Sequence, residues 1–303
     1  MCKLSILVPT YNKEKYIAEC LDSIFMQRTT YSYQVIIPDD CSTDNTLQII
    51  AQYQEKYPDK IILLTSEKNQ KLYKNILRAY EITKTDYFTV LDPDDYWIDK
   101  YKIQKALNFL EQNPEYTLHI SNSYQKLRDG SIIPFSSFPE VDSEFQNYLN
   151  GNPALAHTSG TIFRNVVFKH GIPEKMIHLP NPSCEISFRG DSFRNVIHLH
   201  EGKARTVSHY ESVYRITDEG IWQKMSEFEQ DLTNTQAFLN FWLYFDKKYT
   251  EIVLRALLHY KKTELSLQKL DKDSIPQEKF MRLLQQFKQL REILTPLLDT
   301  MAN

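Results

Sequence analysis

Apolar runs and helical stripes alternate through the first ninety or so residues. Leu4-Ser5-Ile6-Leu7-Val8-Pro9 reads as a strand. Between Lys13 and Met26, Ile17, Leu21, Ile24 and Phe25 recur at helical spacing. Tyr33 to Ile37 is a second apolar run and ends in Pro38-Asp39-Asp40. Ser42-Thr43-Asp44 marks a helix start, after which Leu47, Ile49, Ile50 and Tyr53 form one face. Ile61 to Leu64 predicts a third strand, Tyr73 to Ile82 a third helix and Tyr87 to Leu91 a fourth strand. This alternation predicts an α/β fold with a mainly parallel central sheet, right-handed crossovers and helices on both faces. Open sheets of this kind bind ligands at the carboxyl ends of their strands. Thr10-Tyr11-Asn12, Asp39-Asp40 and Asp92 to Asp95 all fall at such ends, so one crevice can hold all three.

After Tyr101 the pattern is mixed. It predicts a helix from Tyr101 to Gln112, strands at Tyr116 to Ser121 and Ser159 to Phe163, and a helix from Asp191 to His198. Thr206 to Ile216 reads as extended, whereas Ser131 to Phe138 and Asn150 to Pro153 are turn-rich. From about Ser226 the chain turns helical. Phe238, Phe241, Trp242 and Phe245 form one stripe, and Phe280, Leu283, Leu284, Phe287, Leu290 and Leu294 another, with Pro276 between two helices. Two regions are expected: residues 1–225 and a helical C-terminal region, 226–303.

Composition narrows the class. At 303 residues and 42% hydrophobic, the chain can bury a sizeable core. A net charge of −3 excludes the basic footprint of a nucleic-acid binder. Cys2, Cys20, Cys41 and Cys184 show no paired spacing, so they read as reduced thiols of a cytoplasmic protein. No apolar run reaches the roughly 18 residues of a membrane span, and no basic-then-apolar leader opens the chain.

The chemistry concentrates in Leu91-Asp92-Pro93-Asp94-Asp95-Tyr96-Trp97. Three carboxylates crowded at a strand end repel one another unless a cation sits among them. All-oxygen ligands suit a hard divalent ion such as Mg²⁺ or Mn²⁺, which keeps positions open for substrate phosphates. The plain alternative is a solvated turn, since Pro and Asp favour turns.

Four ordered pieces now resemble the family 2 glycosyltransferases, which have the GT-A nucleotide-sugar fold. They are Ile6 to Lys13, Val35 to Asp44, the Asp92-x-Asp94-Asp95 cluster, and the stretch from Gly190-Asp191 to Val213-Tyr214-Arg215-Ile216-Thr217-Asp218-Glu219-Gly220-Ile221-Trp222. Together they cover residues 3–222.

The resemblance implies a metal-assisted enzyme that moves a sugar, with inversion, from a nucleoside diphosphate donor, UDP-linked, to a hydroxyl of a glycan, glycolipid or glycoprotein. Pro9, Thr10 and Tyr11 would line the nucleobase pocket, where an aromatic ring can stack on a base. Asp40 would accept from uracil N3, with Asp39 beside it; both also suit a loop and helix cap. Asp94 or Asp95 would hold the metal and Asp92 the ribose or a supporting contact. Trp97 would pack beneath the donor sugar. Asp191 would be the general base, kept ionised by a helix N-terminus, with Glu185 in reserve. Arg215 would steady the diphosphate or pair with a structural carboxylate. Lys74 and Asn75 would approach the donor, although Lys74 reads rather as part of a solvated helix face. His157, Thr158 and Ser159 border the expected acceptor side, with His157 read as structural. His198, His200 and His209 lack metal-ligand spacing.

Three departures from the family pattern stand out. Pro38 replaces an aliphatic or acidic residue. Cys41 replaces a common Gly, and Gln70-Lys71-Leu72 stands where a loop Gly is usual. A sugar-phosphate nucleotidyltransferase would need a Gly-rich basic loop after the first strand, and Pro9-Thr10-Tyr11-Asn12 is neither. A degenerate transferase acting as a partner subunit would lack the carboxylates, and all are present. The helices beyond Ser226 read as packing faces. Docking to a second copy or to the inner membrane face is the functional alternative, with Lys261, Lys262, Lys269 and Lys272 interrupted by acids.

Overall fold

The computed structural model describes residues 2–151, 157–178, 190–218, 220, 222, 224–271 and 275–302, side chains excepted at 190, 191, 301 and 302. Two compact units emerge: Met1–Pro173 with Gly190–Thr217, and Asp218–Asn303 with the segment that begins at Glu174.

The first unit is α/β. Its strands are β1 (Leu4–Leu7), β2 (Tyr33–Pro38), β3 (Ile61–Leu64), β4 (Tyr87–Val90), β5 (Tyr96–Trp97), β6 (Tyr116–Lys126), β7 (Ile132–Pro134), β8 (Val141–Ser143), β9 (Thr161–Arg164) and β10 (Lys203–Arg215). They form one sheet in the order β3-β2-β1-β4-β9-β6-β10-β5, with β7 on β6 and β8 on β10. The β3-β2-β1-β4 half is parallel. β9 then runs antiparallel to both β4 and β6. Every residue of β1 and β4 is buried, as expected of strands covered on both faces.

Helices α1 (Ile17–Phe25), α2 (Thr46–Lys56), α3 (Lys71–Ile82) and α4 (Lys102–Gln112) link the early strands. α1 buries Ile17, Cys20, Leu21 and Ile24, a single helical face. α2 starts later than Ser42-Thr43-Asp44 predicts. The Asp44 carboxylate instead accepts from the backbone N–H of Thr46 (3.0 Å) and from its hydroxyl (2.5 Å), which makes residues 42–45 a turn. β5, β7, β8 and the short α5 (Phe145–Leu149) fall where the sequence reads as coil or turn. α7 (Gly190–His200) returns the chain to β10; α6 (Glu174–Ile177) groups with the second unit.

That second unit holds α8 (Glu227–Tyr244), α9 (Thr250–Lys269) and α10 (Gln277–Ala302). Ser226 and Glu229 form a reciprocal capping box that fixes the start of α8. Phe228, Leu232, Leu239, Tyr260, Phe287, Leu290 and Leu294 make its core, with Pro276 just before α10.

Candidate active site

The carboxyl ends of β1 and β2 are locked together. Thr10 bridges to Asp39, its N–H donates to the Pro38 carbonyl (2.9 Å), and the Asp40 N–H donates to the Thr10 carbonyl (2.9 Å). Asn12 Oδ1 accepts from the Thr43 N–H at 2.8 Å, and Ser42 Oγ accepts from the Asn12 N–H at 2.9 Å. Asp39 caps the turn that follows it, accepting from Ser42 N–H (2.9 Å) and Ser42 Oγ (2.5 Å). Asp40 accepts from the N–H groups of Gln70 (2.7 Å) and Lys71 (2.8 Å) and from Ser66 Oγ (3.4 Å). A carboxylate has about four acceptor positions, and the described residues fill three of them. Pro9 and Thr10 are buried, whereas the Tyr11 ring is 42% exposed beside them. Lys74 is exposed on α3. Asn75 is buried and donates to the Pro38 carbonyl (2.7 Å), a contact that fixes the end of β2.

After β4 the chain makes a tight turn, with Asp95 N–H donating to the Asp92 carbonyl at 2.9 Å. Pro93 occupies the second turn position, where its fixed φ fits. The turn brings Asp92 and Asp95 to one side. Asp94 goes elsewhere: its carboxylate accepts from Lys13 Nζ at 2.7 Å. Asp95 is 1% exposed, and Oδ1 accepts from the Arg215 N–H (3.0 Å) while Oδ2 has no hydrogen-bond partner among the described residues. Burial first, then the Asp92 and Asp94 carboxylates, push the Asp95 carboxyl well above its ordinary range.

Facing Oδ2 is His157, for which the sequence predicts a structural role. His157 Nδ1 lies 3.4 Å from Asp95 Oδ2. Ligand atoms of Asp92, Asp95 and His157 all lie within 4.8 Å of one another. An orphaned buried carboxylate oxygen, a second carboxylate and an imidazole make a mixed O/N donor set that fits a divalent ion such as Mn²⁺. His157 is held by surrounding groups. Its ring stacks on Tyr214 (4.3 Å) and meets Phe135 edge-on (5.5 Å), and Nδ1 bonds Ser159 Oγ at 2.9 Å. Trp97, 1% exposed, donates its indole N–H to the Ser159 carbonyl (3.0 Å), tying β5 to the turn that carries His157.

Arg215 is committed to protein groups. Nε donates to the Asp94 carbonyl (3.0 Å), the guanidinium pairs with Glu19, and its carbon lies 5.1 and 5.3 Å from the Tyr16 and Tyr96 ring centres. Of the two roles read for it, the geometry carries the structural one. Asp191 is the second residue of α7, and its side chain lies outside the described atoms. Glu185 and Cys184 lie outside the described residues.

A sheet that is parallel on one side of β4 and antiparallel on the other, with an acidic turn after β4 and capped carboxylates after β2, is the GT-A arrangement of nucleotide-sugar enzymes. The structure of Staphylococcus aureus TarS residues 1–349 in complex with UDP-GlcNAc superposes with a TM-score of 0.62 at 18% identity, covering 96% of this chain and 81% of that one. The mannosyltransferase of Pyrobaculum calidifontis in complex with GDP-Man and Mn²⁺ gives a TM-score of 0.55 at 16% identity, covering 97% and 83%. The sequence profile described as glycosyl transferase family 2 matches residues 5–171, and the chain belongs to that family. In sequence, TarS, named as a poly(ribitol-phosphate) beta-N-acetylglucosaminyltransferase, is 33% identical over 171 residues, 56% of this chain and 29% of its own. An uncharacterized protein of Mycobacterium tuberculosis is 28% identical over 223 residues. That alignment covers 72% of this chain, which spans 60% of that relative's length.

Proposed function

We propose that the protein transfers a sugar from a nucleoside diphosphate donor, UDP-linked, to a hydroxyl of a glycan, glycolipid or glycoprotein acceptor, with inversion at the anomeric carbon. The observation that carries this reading is the Asp92–Asp95–His157 cluster at the carboxyl end of β4, in the same sheet as the β1 and β2 ends that bear Tyr11 and Asp40. The TarS complex with UDP-GlcNAc and the mannosyltransferase complex with GDP-Man and Mn²⁺ support it.

In this reading Tyr11 stacks on the base and the remaining acceptor position of Asp40 takes its N–H. Asp92, Asp95 and His157 hold a divalent ion, which when bound supplies charge neutralisation at the donor diphosphate. Lys13 keeps Asp94 oriented and Arg215 keeps the acidic turn in place. Asp191, in the first turn of α7, takes the acceptor hydroxyl proton as the new bond to the anomeric carbon forms and the bond to the diphosphate breaks. The half-exposed Phe135, against His157 and Tyr214, gives the acceptor side an apolar edge. The free thiols of Cys2, Cys20 and Cys41 fit a reducing cytoplasm.

Asp191→Asn tests the proton transfer. The variant should fold and bind UDP as the parent does, with kcat lower by a factor on the order of 10²–10⁴. Full activity in a folded, nucleotide-binding variant would remove Asp191 from the mechanism.

A further inference from the structure

α9 is apolar on two sides. Inward, Ile252, Val253, Ala256, Leu257 and Tyr260 are buried. Outward, Leu254, Leu258 and Leu265 are 46%, 57% and 55% exposed. Single exposed leucines are ordinary, but three along one helical line are a seam. The exposed charged residues of α9 are Lys261, Lys262 and Lys269; Glu251 and Glu264 are only partly exposed, and Glu264 pairs with Lys261 at 2.8 Å. Glu251 lies about five turns before Lys269 and so on the same line, leaving three lysines against that one partly exposed acid on the flanks of the seam. By contrast, the exposed face of α10 mixes signs, with Glu278, Arg282, Lys288 and Glu292.

At about 100° per residue the three leucines fall within an arc of about 40°, with Lys261 about 20° to one side and Lys269 and Lys262 about 20–40° to the other. Between Leu254 and Leu265 the seam is about 16 Å long at about 1.5 Å per residue. Two copies meeting seam to seam in parallel would set these lysines against each other, a like-charge contact. An anionic surface neutralises them. Leucines in a row with lysines on both flanks match a bilayer interface, where apolar side chains enter below the headgroups and lysine stems bend up to the phosphates. No helix among the described residues is long and apolar enough to cross a membrane. We propose that α9 lies flat on, and docks the protein to, a membrane surface rich in anionic phospholipid.

Flotation of the full chain with phosphatidylcholine vesicles, with and without one third phosphatidylglycerol, tests this. The protein should float with the anionic vesicles alone and release at high salt. Leu258→Ser/Leu265→Ser and Lys262→Glu/Lys269→Glu should each weaken binding roughly tenfold or more, with helical circular dichroism retained. Absence of flotation by folded protein, or flotation of either variant as strong as the parent's, overturns the proposal. So does a dimer in light scattering that Leu258→Ser/Leu265→Ser converts to a monomer, since the seam then belongs to a second copy.

Discussion

Cys41 adopts φ +67° and Lys71 φ +73°, the left-handed region that side chains disfavour. These are the two places where the chain departs from the glycines usual in its family. The left-handed backbone at both places serves Asp40, which precedes Cys41 and accepts the Lys71 N–H. Cys41→Gly should therefore stabilise the fold by about 0.5–1 kcal/mol, the strain relieved less the freedom gained by the unfolded chain. Urea unfolding measures it; a loss of stability would show that the Cys41 Sγ contact to the Glu67 carbonyl, at 3.6 Å, outweighs the strain. At this scale the acidic turn was legible from Pro93 and three aspartates, but their division was not. Lys13, distant in sequence, withdraws Asp94, and His157 arrives on the turn that leads into β9. The clue to His157 is topological. β9 runs antiparallel to β4, so the turn at residues 157–160 that leads into β9 meets the carboxyl end of β4. No local pattern in residues 157–160 declares that pairing.

Elements that bury two faces announced themselves. β1 to β4 and their helices read directly because continuous apolar runs and helical stripes are local signals. β5, of two residues, and β7, with all three residues exposed, exist through their pairing to β10 and β6 and carry no period of their own. Lys102 at the start of α4 is fully buried, 3.0 Å from Ser121 Oγ, 3.1 Å from the Gly160 carbonyl and 3.3 Å from Glu211. α7 and β6 likewise bury histidines. His198, among the rings of Phe88, Phe163 and Phe168, has its pKa lowered by burial to about 3, and burial lowers His119 to about 4. Below about pH 6.5 the unfolded chain takes up protons that the fold refuses, so stability falls as pH drops. Each histidine contributes a slope of about 1.4 kcal/mol per pH unit down to its folded pKa. Urea midpoints taken from about pH 7 to about pH 4.5 should fall steeply, and His198→Leu should flatten the slope. An unchanged slope in that variant would place the acid sensitivity elsewhere.

For the whole molecule, composition and element order sufficed for the α/β class and for a helical C-terminal region, because both are averages over many residues. The grouping of Glu174–Ile177 with the later helices was not legible, since it joins segments distant in sequence with no shift in composition. The central claim is that the first unit is a metal-assisted site for a nucleoside diphosphate. Its most direct test is the heat released on titrating UDP, GDP and dTDP into the protein with and without Mn²⁺, repeated on Asp95→Ala. UDP should bind, more tightly with Mn²⁺, and Asp95→Ala should lose that gain. Folded protein that binds no nucleotide under either condition would contradict it.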